Sequence, residues 1–309
     1  MAKYKPTMTR QDQRDFITEI LAAEADPLEL GSADIARKWA DRCESTSGKA
    51  GRGTWAWNLR KFAQFLETGI PVFEIIAAKG NIKLPFFNWS TLPDFTCPGM
   101  GDCGRFCYSF KAWRYPAPML RQLQNTILLR HNRKPIRESF RAIPQGATLR
   151  LYVDGDLESP EQIAFWFGLL RRRPDIQAYG YSKSWKEFLA LADQTDTATW
   201  PTNYVLNVSD GSRWDSDAET RERLLSLPIV RGGFHVVDIG KSGSDWVMKS
   251  DRRWESRNYH DDVRQAGRLK LGTTRVFSCP GKCNKCQPNG VHACGQLDFT
   301  APIVIGIHG

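Results

Sequence analysis

The chain has 309 residues, 41% of them hydrophobic, and no stretch approaches the roughly 18 consecutive apolar residues that a membrane-spanning helix needs. That composition excludes fibrous, low-complexity and helical membrane proteins, no membrane partner is expected, and the length suffices for one large domain or two smaller ones. The net charge of +9 favours an acidic partner such as nucleic acid. The polar Met1–Thr9 carries no apolar leader segment, so the eight cysteines read as free thiols or metal ligands of a cytoplasmic protein rather than disulfides.

Thr9 to Ala25 has Phe16, Ile17, Ile20 and Leu21 at helical spacing behind Thr9 as N-cap. A second helix starts at Ser32 with Ile35, Ala36, Trp39 and Ala40, and carries Cys43 as a small buried residue. Ser45 to Thr54 reads as a flexible basic loop, and Trp55 to Leu66 as a third helix. The Gly48-Lys49-Ala50 in that loop is not a phosphate loop, because no Ser or Thr follows the lysine.

Ile82 to Trp89 is short, aromatic and strand-like, and it leads into Cys97, Cys103 and Cys107. Three thiols are one ligand short of a closed tetrahedral zinc site, whereas a cubane cluster held by three cysteines keeps one iron open. Met119 to Phe140 then reads as one long helix with Leu120, Leu123, Ile127 and Leu128 on a face.

From Thr148 a strand, a polar loop, a helix cap and a helix recur about every 28 residues. The strands are Thr148 to Val153, Ile176 to Tyr181, Asn203 to Val208 and Ile229 to Ile239, the last interrupted at Gly232-Gly233. The helices open at Ser159, Ser184 and Ser216. Strands joined by helices of this length run parallel, which predicts a βα repeat with its chemistry at the C-terminal strand ends. Those ends carry Asp154-Gly155-Asp156, Ser182-Lys183 and Ser209-Asp210.

Beyond Ile239, Trp246, Trp254 and Tyr259 alternate with Lys249, Arg252, Arg253, Arg257 and Arg264. Such a mixture suits either a single-stranded nucleic-acid surface or a solvated excursion. Cys279, Cys283, Cys286 and Cys294 then supply four thiols in one loop, enough for a closed zinc knuckle or cluster, with His292 as a neighbour. Ile303 to Ile307 closes the chain as a buried strand before His308. The expected organisation is a helical region over residues 1–80, a βα-repeat core over 81–240, and an excursion with the four-cysteine site and last strand over 241–309.

The order of strand, three-cysteine loop with Phe106 before Cys107, helix, strand and the turn Gly155-Asp156 resembles the radical S-adenosylmethionine enzymes. The resemblance implies a TIM-barrel-like α/β fold, a parallel (βα)-repeat partial barrel, with a 4Fe–4S cluster on Cys97, Cys103 and Cys107. S-adenosylmethionine would be held by Asp154, Gly155, Asp156, Ser182, Lys183 and Ser209. The cysteine spacing departs from that superfamily's common three then two intervening residues, being five then three; Cys279/Cys283/Cys286 has the common spacing but no βα repeat follows it.

More closely, Thr96-Cys97-Pro98-Gly99, Cys103, Phe106-Cys107-Tyr108, Val153 to Asp156 and Tyr179 to Ser184 are similar to the gene product 88 family of actinophages and plasmids. That similarity implies a mobile-element origin and the cytoplasm of a bacterial host. Two functions follow as expectations. One is a radical-type enzyme modifying nucleic acid or a small molecule. The other is a non-catalytic zinc protein that binds nucleic acid, with His235 or His308 completing the first site.

Overall fold

The computed structural model describes residues 8–23, 28, 32–78, 84–240, 246–248, 254–283, 285–286 and 292–307, with backbone alone at 246–248 and 254–255. Two compact units result: Met1–Ala77 with Trp89–Thr96 and Tyr108–Ile143, and Ala78–Asn88 with Cys97–Cys107 and Pro144–Gly309. No helix among the described residues is long and apolar enough to cross a membrane.

The first unit is helical. Helix α1 (Arg10–Ala22) opens on a complete capping box, Thr9 with Asp12, and buries Phe16, Ile17 and Ile20. Helix α2 (Ser32–Ser47) runs through Ser45, Thr46 and Ser47, which the sequence suggested were loop. Their hydroxyls donate back to the carbonyls of Arg42 and Cys43 and so prolong the last turn instead of breaking it. Helix α3 (Trp55–Thr68) is capped by Thr54 and stopped by Gly69 at φ +67°, a left-handed conformation that suits glycine.

The expected single helix from Met119 to Phe140 is two, α4 (Pro116–His131) and α5 (Lys134–Arg141). Asn132 leaves helical geometry at φ −143°, and Pro135 then occupies the first turn of α5, where its missing N–H is harmless. Helix α4 also buries Gln122, Gln124, Asn125 and Thr126, which no apolar pattern reveals. Gln124 accepts from the N–H groups of Val72 and Phe73 and donates to the Phe73 carbonyl, while Asn125 donates to the carbonyls of Ile75 and Ser90. Irregular backbone is thus satisfied by amide side chains where a sheet ladder is absent.

The second unit is a seven-stranded parallel sheet, in the order β1-β2-β3-β4-β5-β9-β8. Its strands are β1 (Phe87–Asn88), β2 (Thr148–Leu151), β3 (Gln177–Ser182), β4 (Tyr204–Ser209), β5 (Val230–Val237), β8 (Phe277–Ser278) and β9 (Ile303–Gly306). The strand predicted from Ile82 shrinks to two residues, and Ile82 and Lys83 lie outside the described residues. The sheet is open, with two-residue strands at both edges. A partial parallel α/β fold is therefore what the repeat builds. Helices α6 (Pro160–Arg171), α7 (Trp185–Gln194) and α8 (Ala218–Leu225) connect strands that are sheet neighbours, so right-handed crossovers keep them on one face.

One expected helix start moves by a residue, and two expected N-caps lack their side-chain bond. Asp217, not Ser216, caps α8 by accepting from the Thr220 N–H, because a carboxylate one residue closer to the helix outcompetes the hydroxyl. Ser159 and Ser184 occupy N-cap positions without a side-chain cap bond. Gly232-Gly233 does not interrupt β5; the pairing absorbs the irregularity as a register shift at Leu206/Asn207.

The supposed excursion contains a two-stranded antiparallel ribbon, β6 (Trp246–Met248) with β7 (Trp254–Ser256), and helix α9 (Tyr259–Leu271). Tyr259 is buried with Val237, Val263 and Val304 and so is no exposed stacking ring. The side chains of Trp246, Lys249, Arg252, Arg253 and Trp254 lie outside the described residues. The other face of the sheet gathers Tyr179, Val205, Ala293, Cys294 and Ile303, with Phe86, Tyr181, Phe234, Cys279 and Cys286 against them.

Candidate metal sites

The loop Cys97–Cys107 docks on the C-terminal ends of β3 and β4 through its backbone. The N–H groups of Gly101 and Cys103 both donate to the Gly211 carbonyl, at 3.0 and 3.1 Å, and the Arg213 N–H donates to the Gly99 carbonyl at 3.0 Å. Met100 and Ser212 form an antiparallel bridge. The approach is so close that a Cβ on Gly99 would lie 1.6 Å from the Lys183 carbonyl oxygen, and one on Gly211 would lie 2.7 Å from Cys103. Gly211 also holds φ +84°. Glycine is required at both positions by space, and at Gly211 by conformation as well.

Beneath this loop lies a connected polar network. Gly155 at φ +74° turns the chain after β2, and Asp156 follows it into the interior. The Asp156 carboxylate accepts from the Leu157 N–H, the Ser182 hydroxyl and the Lys183 N–H, each at 2.8 Å. Burial pushes its carboxyl up, against the pull of those hydrogen bonds. Lys183 Nζ donates to Ser209 Oγ at 3.0 Å, and Ser212 Oγ donates to the Lys183 carbonyl at 3.2 Å. Burial raises the Cys103 thiol, and the nearby Lys183 ammonium opposes that rise.

The expected residues Asp156, Ser182, Lys183 and Ser209 are therefore brought together beside Cys103. Asp154 is buried on the same turn, with Gly155 between it and Asp156. Asp156 is committed to fixing the strand ends of β2 and β3 relative to each other.

Asp210, read only as a strand end, holds a further constellation on the α9 side. His235 Nδ1 lies 2.8 Å from one carboxylate oxygen, and Lys270 Nζ and the Val236 N–H reach the other at 2.5 and 3.1 Å. Burial opposes its ionisation, but the His235 and Lys270 interactions prevail and hold the carboxyl at about 2. His235, considered as a fourth ligand for the first cluster, thus has its Nδ1 engaged by Asp210. His308 lies outside the described residues. Lys270 carries no sequence signal, since it meets Asp210 only because α9 folds back on the sheet.

The second cluster sits over the opposite face of the sheet. Cys279, Cys283, Cys286 and Cys294 lie close enough to influence one another electrostatically, and burial drives the Cys294 thiol up to about 12. The neighbouring Arg231 donates to Asn207 Oδ1 and to the carbonyls of Phe299, Ala301 and Gly233, at 2.7 to 3.0 Å. His292 lies 4.5 Å from the Tyr179 ring centroid, and its Nε2 is buried without a hydrogen-bond partner among the described residues. Burial pushes this imidazole down to about 4.

Among the described residues no group of three or more His, Cys, Asp and Glu side chains is gathered closely enough to hold a metal ion. The donor chemistry at both loops nonetheless suits thiophilic metals. The first combines three thiols with a backbone cradle that excludes side chains, and the second combines four thiols with an orphaned imidazole nitrogen.

No curated protein and no solved structure matches the chain. The family described as gene product 88 matches residues 73–287, which include both cysteine loops up to Cys286 and the whole run from β1 to α9. With well over half of its length inside that match, the chain belongs to the gene product 88 family.

Proposed function

We propose that this protein is a radical S-adenosylmethionine-like metalloenzyme whose Cys97, Cys103 and Cys107 hold an iron–sulfur cluster. The observation that carries the reading is the backbone docking of the three-cysteine loop onto the loops after β3 and β4, which sets Cys103 beside Lys183. In parallel α/β architectures the C-terminal strand edge is where ligands bind.

A cubane cluster on three thiolates supplies a reducing electron next to an iron that can take a ligand. The chain's own residues do the rest. Lys183 presents a cation that offsets thiolate charge and suits a cofactor carboxylate, and Ser209 orients its ammonium group. Asp156 and Ser182 hold the backbone from which Lys183 projects. Asp154 and Gly155 form the turn at the adjoining strand end.

The test is anaerobic reconstitution with iron and sulfide, using a Cys279→Ser/Cys286→Ser variant to isolate the first site. About four irons and reductive cleavage of S-adenosylmethionine are expected. Fewer than about three irons, or no cleavage under reduction, overturns the reading. The net charge of +9 supports a second reading, a non-catalytic zinc protein that binds nucleic acid. A colourless protein with about two zincs and salt-sensitive nucleic-acid binding is its signature.

A further inference from the structure

Among the described residues, three sulfurs of the second cluster receive a hydrogen bond, and the donors are of two kinds. The Gly281 N–H reaches Cys279 Sγ at 3.4 Å and the Ala293 N–H reaches Cys286 Sγ at 3.5 Å. The Tyr179 hydroxyl reaches Cys283 Sγ at 3.6 Å, and Tyr181 lies beside Cys294. Tyr179 and Tyr181 are two apart on β3, so the strand period points both rings to this face.

A neutral thiol is a weak acceptor and gains little from a donor, whereas a thiolate accepts strongly. Three sulfurs with donors and a fourth beside a phenol are therefore an arrangement for thiolates. Four buried negative charges need a cation beyond Arg231, whose guanidinium lies near Cys294. The rings are also held in place. Tyr179 meets Phe86 edge-on at 6.2 Å, and Tyr181 meets Phe234 at 4.6 Å. A phenylalanine at either position keeps this packing and loses only the hydroxyl.

We propose that Tyr179 and Tyr181 are positioning residues of a tetrathiolate metal site on Cys279, Cys283, Cys286 and Cys294, and that their hydroxyls set the electron density of the bound metal. This rests on the metal reading of the cysteine loops. An O–H donor withdraws charge from a metal-bound sulfur and favours the reduced metal, so removing it favours the oxidised one. The neighbouring His292 is buried against the Phe86 and Tyr179 rings, and its Nε2 has no hydrogen-bond partner among the described residues.

The experiment uses the full chain loaded with iron. Metal content of the wild type against Cys279→Ser/Cys286→Ser establishes whether this loop binds iron. An unchanged content refutes the metal reading of the loop, and the proposal with it. With iron bound, Tyr179→Phe and Tyr181→Phe should each shift the equilibrium several-fold toward the oxidised form. The double variant should shift it about tenfold, which is about 59 mV for a one-electron couple. Tyr204→Phe, a buried hydroxyl away from this loop, serves as the control and should leave the potential unchanged. Equal potentials for wild type and double variant, at equal iron content, overturn the tyrosine assignment while leaving the metal reading intact.

Discussion

The loop of Cys97, Cys103 and Cys107 is tied down through its backbone, whereas the loop of Cys279, Cys283, Cys286 and Cys294, anchored by the Cys279 N–H on the Val304 carbonyl and by the Cys294 carbonyl on Asn207, also has donors aimed at its sulfur atoms. In the first, Gly99, Gly101 and Gly211 bring main chain against main chain, and the bonds of Gly99, Gly101 and Cys103 to Gly211 and Arg213 run between amides and carbonyls. In the second, amides and a phenol point at sulfur. The contrast separates two tasks. A backbone-held loop keeps its position whatever its thiols carry, which suits a site that exchanges a ligand. A loop with donors at its sulfurs is organised around the charge of its thiolates, which suits a site that is closed.

The sharpest way to break this comparison is Gly99→Ala. Its methyl group would overlap the Lys183 carbonyl, so a loss of about 4 kcal/mol or more, or an undocked loop, is expected. Denaturant unfolding together with faster alkylation of Cys103 would register it, and an unchanged alkylation rate would count against backbone docking.

Arg231→Met is the counterpart for the second loop. It leaves the buried Asn207 Oδ1 and three part-buried carbonyls without their donor, and a cost of about 3 kcal/mol is expected with loss of metal from that loop alone. Retained metal with normal stability would show that Arg231 is not part of that site's support. Asp156→Ala removes the acceptor for three donors under the first loop and should cost about 3 kcal/mol by the same measurement.

Asp210→Asn lies outside both loops and sharpens the contrast as a control. A carboxyl held at about 2 against an ordinary 3.8 contributes stability in full above pH 4, and that stability is lost as pH falls through the folded value. The variant should lose about 2 kcal/mol at pH 7 and show a flatter acid limb between pH 4 and pH 2, with metal binding at both loops unaffected. The smallest effect is expected for Lys183→Met. Without the ammonium the Cys103 thiol moves up further, so alkylation of Cys103 at fixed pH should slow while stability barely changes.

Much of the fold was legible. The repeat of strand, cap and helix predicted the parallel sheet because period-two and period-3.6 patterns are local properties of the chain. The same locality explains the errors. Asn132 and Pro135 split a helix that an apolar stripe had continued, and Asp217 displaced Ser216 by one position. The buried amides of α4 were invisible because their partners, from Val72 to Ser90, are irregular backbone that no pattern announces.

The candidate site divides in the same way. Which residues carry thiols and where strands end are facts of the sequence, and from them Asp156, Ser182, Lys183 and Ser209 could be placed at one edge. That Asp156 is committed to three donors, that Lys270 meets Asp210 across 60 residues, and that Tyr179 and Tyr181 lie beside separate cysteines more than 100 residues away are decisions of tertiary structure. Spacing along the chain settles which groups share a strand end or a face. Which donor meets which acceptor depends on how the crossovers and α9 close over the sheet, and only the folded chain brings those partners within a few ångströms.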